Sequence, residues 1–159
     1  MIKVKIISLG KLKEKYLRDA EAEYMKRLSG YAKTEIIEIE PERISDNPSA
    51  NEIDIALCNE AEKILRRIDK GSYVIAMCIE GKQLDSSEFS TLIEKQSAEG
   101  KNITFIIGSS YGLHNSIKEK ANLKFSFSKM TFPHQLFRIM LLEQLYRGFK
   151  INEGSKYHK

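Results

Sequence analysis

Two uninterrupted apolar runs, Tyr73-Val74-Ile75-Ala76-Met77-Cys78-Ile79 and Ile103-Thr104-Phe105-Ile106-Ile107, constrain this chain more than anything else in it. A strand with one wet face alternates apolar and polar residues. A run without alternation is a strand covered on both faces, the condition of the inner strands of a parallel sheet. Further strands are read from alternation at Ile2 to Leu9 and Lys33 to Glu40, and a short one at Leu123 to Phe127. Between the strands the apolar period lengthens to that of a helix. Helices are expected over Lys13 to Leu28, Glu52 to Ile68 and Ser86 to Ala98, the last capped by Ser86 or Ser87 and followed by Gly100. A short helix ends near Lys120, and Pro133 opens a long one to about Phe149. Strands alternating with helices predict an α/β fold, a mostly parallel sheet with helices on both faces. With no repeat and no interior linker, residues 1–159 read as a single domain with a short polar tail at 152–159.

Several function classes drop out early. No apolar stretch approaches the roughly 18 residues that span a bilayer, and the alternating N-terminus lacks the features of a signal peptide. Cys58 and Cys78 suit neither a disulfide framework nor a metal cluster. The expectation is a cytoplasmic protein with reduced thiols, no metal and no membrane partner. The net charge of +4 is mild, but it is concentrated. Residues 129–159 hold Lys129, Arg138, Arg147, Lys150, Lys156 and Lys159 against Glu143 and Glu153, while residues 1–128 balance to zero. That asymmetry points to an anionic partner near the C-terminal end, or to nothing more than a solvated basic tail.

Ligands of open parallel sheets sit outside the carboxyl ends of the strands. Three such ends are unusual here: Ile79-Glu80-Gly81-Lys82, Ile107-Gly108-Ser109-Ser110-Tyr111-Gly112 and Phe127-Ser128-Lys129-Met130-Thr131-Phe132-Pro133-His134. The glycine pair is neither a dinucleotide fingerprint nor a P-loop, so it stands as a strand-to-helix turn where backbone can approach a ligand. Met130 and Phe132, large apolar residues in a segment that leaves a strand, suit a pocket for an adenine ring or simply packing under a loop. The helix from Pro133 is apolar round most of its circumference, which suggests burial in a homodimer interface or in the core of a monomer. Arg138 and Arg147 project from nearly opposite sides of it, and Glu143 stands one turn before Arg147 in the order that favours an ion pair. Tyr157-His158-Lys159 joins an aromatic ring, an imidazole and a cation, able to stack a base, take a proton and hold a phosphate, or else is a frayed end.

The stretch Ser126 to Gln135, the run Leu142-Glu143-Gln144-Leu145-Tyr146-Arg147 and the terminal Tyr157-His158-Lys159 together resemble the RlmH family, as do Gly10-Lys11-Leu12-Lys13 and Ile107-Gly108, and the likeness runs the length of the chain. The resemblance implies a homodimeric methyltransferase of the SPOUT superfamily with a C-terminal trefoil knot. It further implies S-adenosylmethionine as cofactor and N3 of a pseudouridine in the helix 69 stem-loop of 23S rRNA, on assembled ribosomes, as target. Carried over by position, the cofactor contacts are Met77, Gly108, Phe127, Ser128, Lys129, Met130, Thr131 and Phe132. For catalysis, His158 is the candidate base, Arg147 the stabiliser of developing charge, from either chain of the dimer, and Tyr157 the platform for the base. The chain departs from the family pattern twice. Ser109 stands where a second glycine is usual, which demands a negative φ or strain, and Gly148 stands where alanine is usual. Two rival readings remain: a basic, non-enzymatic RNA-binding dimer acting in ribosome assembly, and a nucleotide-binding enzyme of the ordinary doubly wound type, which the missing third glycine disfavours.

Overall fold

The computed structural model describes residues 1–157. Its elements follow in the order β1 (Ile2–Leu9), α1 (Lys15–Leu28), β2 (Ala32–Ile39), α2 (Ala50–Leu65), β3 (Tyr73–Gln83), α3 (Ser86–Ala98), β4 (Ile103–Ile107), α4 (Asn115–Lys120), β5 (Leu123–Ser126) and α5 (His134–Asn152). The five strands form one sheet in the order β2-β1-β4-β3-β5, and every adjacent pair is parallel. The two apolar runs are β3 and β4, which occupy inner positions. All five residues of β4 are buried, as is the stretch Val74–Met77 of β3.

Helices cover both faces. Leu17, Phe89, Ile93, Leu141, Leu142 and Leu145 from α1, α3 and α5 pack on one face against Val4, Ile6, Ile75 and Phe105. On the other face Ala61 and Ile64 of α2 and Ile117 of α4 meet Ile7, Val74, Ala76 and Ile106. Successive residues of β3 and β4 therefore serve opposite cores, which is why their sequences do not alternate. None of the described helices is long and apolar enough to cross a membrane.

Several expectations about local structure are corrected. Asp85, not Ser86 or Ser87, caps α3: its carboxylate accepts the Glu88 N–H at 2.7 Å and Glu88 returns to the Asp85 N–H, a complete capping box. β3 does not stop at Ile79. Its pairing with β5 is broken by a register shift between Met77 and Lys82, both opposite Phe125, and then resumes. A Cβ on Gly81 would lie 2.6 Å from the Phe125 N, so only glycine lets the two strands close again there. The residues between are pushed outward as a bulge, and Ile79 is left 51% exposed.

The long helix α5 is not buried all round. It packs between α1 and α3 with Ile139, Leu141, Leu142, Leu145 and Gly148 buried, while Leu136 is exposed and Met140 half-buried. Arg138 is inside, not on a basic surface. Its guanidinium donates to Glu21 at 3.0 Å, Glu38 at 2.9 Å, the Ser8 Oγ at 3.2 Å and the Gly10 C=O at 3.0 Å. Two carboxylates and two neutral acceptors make burial of the charge tolerable, and together they tie the start of α5 to β1, β2 and α1. Arg147 and Lys150 also have carboxylate partners, Glu143 and Glu153. The C-terminal positive charge is thus less available to a partner than its concentration in the sequence suggests.

Candidate functional site

The three unusual strand ends converge. The outward bulge of β3, the turn after β4 and the segment after β5 line one cleft of about 360 Å³ at the carboxyl edge of the sheet. Each wall has a local reason for its shape. After β4, the Gly112 N–H donates to the Ser109 C=O at 2.9 Å and Gly112 takes a φ of 81°, so the chain reverses at once into the approach to α4. A Cβ on Gly108 would sit 2.5 Å from the Gly112 carbonyl oxygen, so the turn closes this tightly only over a glycine. Ser109 has a negative φ, since no residue but glycine has a positive one among those described. Its hydroxyl donates to Glu60 of α2 at 3.1 Å, and the other oxygen of this buried carboxylate accepts the Glu42 N–H at 3.0 Å. A serine here is accommodated by a partner that a glycine would not engage.

After β5, serines fold the loop onto itself. The Ser126 hydroxyl donates to the Ser128 C=O at 2.8 Å, and the Ser128 Oγ accepts the Met130 N–H at 3.0 Å. Aromatic packing then sets the direction of the segment: Phe127 lies between Phe125, with centroids 5.3 Å apart, and Phe137 of α5, at 4.8 Å. The Lys13 N–H donates to Gln135 at 2.8 Å, holding the first turn of α5 to the segment after β1.

Of the residues expected to hold a cofactor, Met77, Gly108, Phe127 and Ser128 line the cleft, as do Met130, Thr131 and Phe132. Lys129, exposed, is not among the lining residues. The composition of the walls suits a nucleoside. Apolar side chains offer faces to a ring, Ser128 and Thr131 offer hydroxyls, and closely spaced main chain at Gly108 offers N–H and C=O groups to a base edge. Sequence reasoning passed over Phe137 and Lys118, which also line the cleft. Phe137 has a signal: it lies three residues after His134, on the same side of the opening turn of α5. Lys118 has none, because nothing in its surroundings in the sequence connects α4 to the end of β3.

The other expected residues lie elsewhere. Arg147 is thirteen residues along α5 from His134, about 20 Å at the helical rise. Its guanidinium donates through Nε and Nη2 to Glu143 at 3.0 and 2.7 Å and lies 4.9 Å from the centre of the Tyr157 ring. The Tyr157 hydroxyl donates to the same carboxylate at 3.1 Å, and Tyr24 of α1 does so at 2.6 Å. Burial, then the Glu143 hydrogen bond, raises both phenols, Tyr24 to about 12. In a single chain, then, Arg147 and Tyr157 come together with Glu143 but not with the cleft. His158 and Lys159 lie outside the described residues. His114 is half-buried and caps α4, its Nδ1 accepting the Ser116 N–H at 3.2 Å. No cluster of three or more metal-binding side chains occurs among the described residues.

Comparison with known proteins identifies relatives along the whole chain. The family model described as "Predicted SPOUT methyltransferase" matches residues 2–158. A ribosomal RNA large subunit methyltransferase H of Clostridium beijerinckii is 52% identical over 157 residues, 98% of this chain and 99% of that one. The protein of the same name from Streptococcus uberis is 51% identical over 159 residues, 99% of this chain and 100% of its own. Among solved structures, a probable methylase family protein from Haemophilus influenzae superposes with a TM-score of 0.57 at 17% identity, over 100% of this chain and 72% of that one, a likeness of fold alone.

Proposed function

Because the chain belongs to the SPOUT methyltransferase family, we propose that it transfers a methyl group from S-adenosylmethionine to a base of large-subunit ribosomal RNA. The observation that carries this reading is the convergence of three strand-end turns on one largely apolar cleft, built from the residues that the family resemblance assigns to the cofactor. Within the reading, the target is N3 of a pseudouridine in helix 69 of 23S rRNA, met on assembled ribosomes in the cytoplasm, and the C-terminal segment carries the family's knot.

When bound, S-adenosylmethionine supplies a methyl group activated by its sulfonium. The protein's part is alignment, exclusion of water and management of one proton. Met77, Phe127, Met130 and Phe132 shield the nucleoside, while Gly108 and the backbone around Ser128 and Thr131 hold its polar edges. An imide nitrogen such as N3 keeps its proton at neutral pH and attacks poorly until it is lost. His158 takes that proton. Arg147 stabilises the charge left on the flanking carbonyl oxygens, and Tyr157 stacks on the base.

The roughly 20 Å along α5 between Arg147 and the cleft-lining start of the helix favours assembly of the site from two chains. The C-terminal segment of one protomer completes the cleft of its partner, so the active species is a homodimer. Exposed Tyr16, Met130 and Leu136 are apolar side chains that such a contact would cover. Incubating ribosomes with methyl-labelled S-adenosylmethionine and the purified protein, then mapping label by nuclease digestion, tests the proposal. Label at one pseudouridine of 23S rRNA is the expected result. Unlabelled RNA, both in ribosomes that carry the pseudouridine unmethylated and in 23S rRNA extracted from them, rules the proposal out.

A further inference from the structure

The cleft is nearly devoid of charge, with one exception. Among the described residues Glu80 and Lys118 are the only carboxylate and the only ammonium that line it, and they are paired with each other. They arrive from different elements. Glu80 sits in the outward bulge of β3 that glycine at 81 permits, and Lys118 sits on α4, the helix that follows the Gly108–Gly112 turn.

The Glu80 side chain is 55% exposed and that of Lys118 22%, so the pair is too wet to contribute much to stability. It also leaves binding capacity unused: an ammonium has three donors and a carboxylate two acceptor oxygens, and their mutual contact engages one of each. The hydrogen bond from Lys118 holds the Glu80 carboxyl below the usual carboxylate range. Lys124 of β5 also acts on Glu80, so the groups facing this corner of the rim are one carboxylate and two ammonium groups.

We propose that the Glu80–Lys118 pair is the subsite for the amino-acid end of the cofactor, Glu80 receiving its α-ammonium and Lys118 its α-carboxylate. This deepens the methyl-transfer reading and rests on it. The chemistry is complementary: the far end of S-adenosylmethionine is a zwitterion, and a zwitterion set antiparallel to an ion pair satisfies all four charges. The placement is complementary too, since the apolar part of the cleft suits the adenosyl group while the charged pair stands at its rim, where a charged tail is not stripped of water.

Calorimetry on the full chain with two nucleosides tests this. S-adenosylhomocysteine carries the zwitterion, and 5′-methylthioadenosine has the same adenosyl thioether without it. The wild type should prefer S-adenosylhomocysteine by about tenfold or more, the scale of a hydrogen bond to a charged group. Lys118→Met and Glu80→Gln should each lose most of that preference while binding 5′-methylthioadenosine as the wild type does, which also shows that the cleft is folded. Lys118→Arg should keep the preference. Equal affinities in the wild type, a preference that survives both substitutions, or equal loss of both nucleosides in both variants overturns the assignment and leaves the cofactor reading standing. Failure of both nucleosides to bind the wild type overturns both.

Discussion

Replacing Gly148 by alanine sets two effects of similar size against each other, and the structure says which prevails. Within a helix, alanine is favoured over glycine by about 1 kcal/mol, and Gly148 lies inside α5. On propensity alone Gly148→Ala stabilises. The added Cβ, however, would stand 2.8 Å from the Ile93 Cδ1, with the Ser90 Cα at 3.6 Å and the Phe89 Cδ1 at 3.9 Å. Carbon atoms rest at about 3.5–4.0 Å, so the Ile93 methyl must retreat by roughly 1 Å. Ile93 is only 1% exposed and has little room. Turning its side chain off rotamer costs about 0.5–1.5 kcal/mol, and overpacking that shifts α3 against α5 costs about 1–3 kcal/mol.

The expected net effect of Gly148→Ala is therefore a loss of about 0–2 kcal/mol, opposite in sign to propensity. A second substitution isolates the cause. Ile93→Val removes the offending carbon and by itself costs about 0.5–1.5 kcal/mol. Combined with Gly148→Ala it should cost less than the sum, with a coupling of about 1 kcal/mol. Urea unfolding of the four proteins measures this. A single Gly148→Ala variant that gains about 1 kcal/mol, with additive behaviour in the pair, refutes the reasoning.

Three more outcomes are expected. Gly108→Ala places a Cβ 2.5 Å from a main-chain oxygen that cannot swing aside, so the turn must open, and S-adenosylhomocysteine affinity by calorimetry should fall about tenfold; unchanged affinity contradicts the role given to this turn. Asp69 is held below the ordinary carboxylate range, chiefly by the hydrogen bond from buried Lys5 and then by Lys3. A depressed carboxyl stabilises the fold above its unfolded pKa near ~4 and ceases to do so as the pH falls through the folded value. The acid side of a Tm–pH profile should accordingly be flatter in Asp69→Asn than in the wild type. Tyr24 is pushed up to about 12, first by burial and then by Glu143, and Tyr157 is raised by the same causes, so ultraviolet titration should show a late phenolate component that Tyr24→Phe reduces and that Glu143→Gln moves only part of the way down.

The fold was largely legible because burial leaves a periodic trace. Tyr73–Ile79 and Ile103–Ile107 read as inner strands from their lack of alternation alone, and they are. The helix expected over Ser86–Ala98 has those bounds, although its cap was misassigned: Ser86 and Ser87 are good capping types, but Asp85 also has a glutamate three residues on, and the reciprocal pair prevails. The walls of the cleft were legible too, since glycines and misplaced apolar residues at strand ends mark where backbone comes close to something. The continuation of β3 past Ile79 was not, because Glu80-Gly81-Lys82 looks like a loop until β5 is found beside it.

By itself, then, the sequence determined the class of fold, the edge of the sheet where the cleft lies and, through its resemblance, the family. These depend on patterns local to an element or on short signatures, and a linear reading recovers both. Only the tertiary structure decided which charges are available. Arg138 appears in the sequence as part of a basic C-terminal region, but it is buried against Glu38 and Glu21, 100 and 117 residues away. Glu80 and Lys118 are 38 residues apart and share no motif, yet they meet at the rim of one cleft. Charge is a property of composition, whereas its availability depends on which side chains the fold brings within hydrogen-bonding distance, and nothing in the spacing of residues along the chain encodes that.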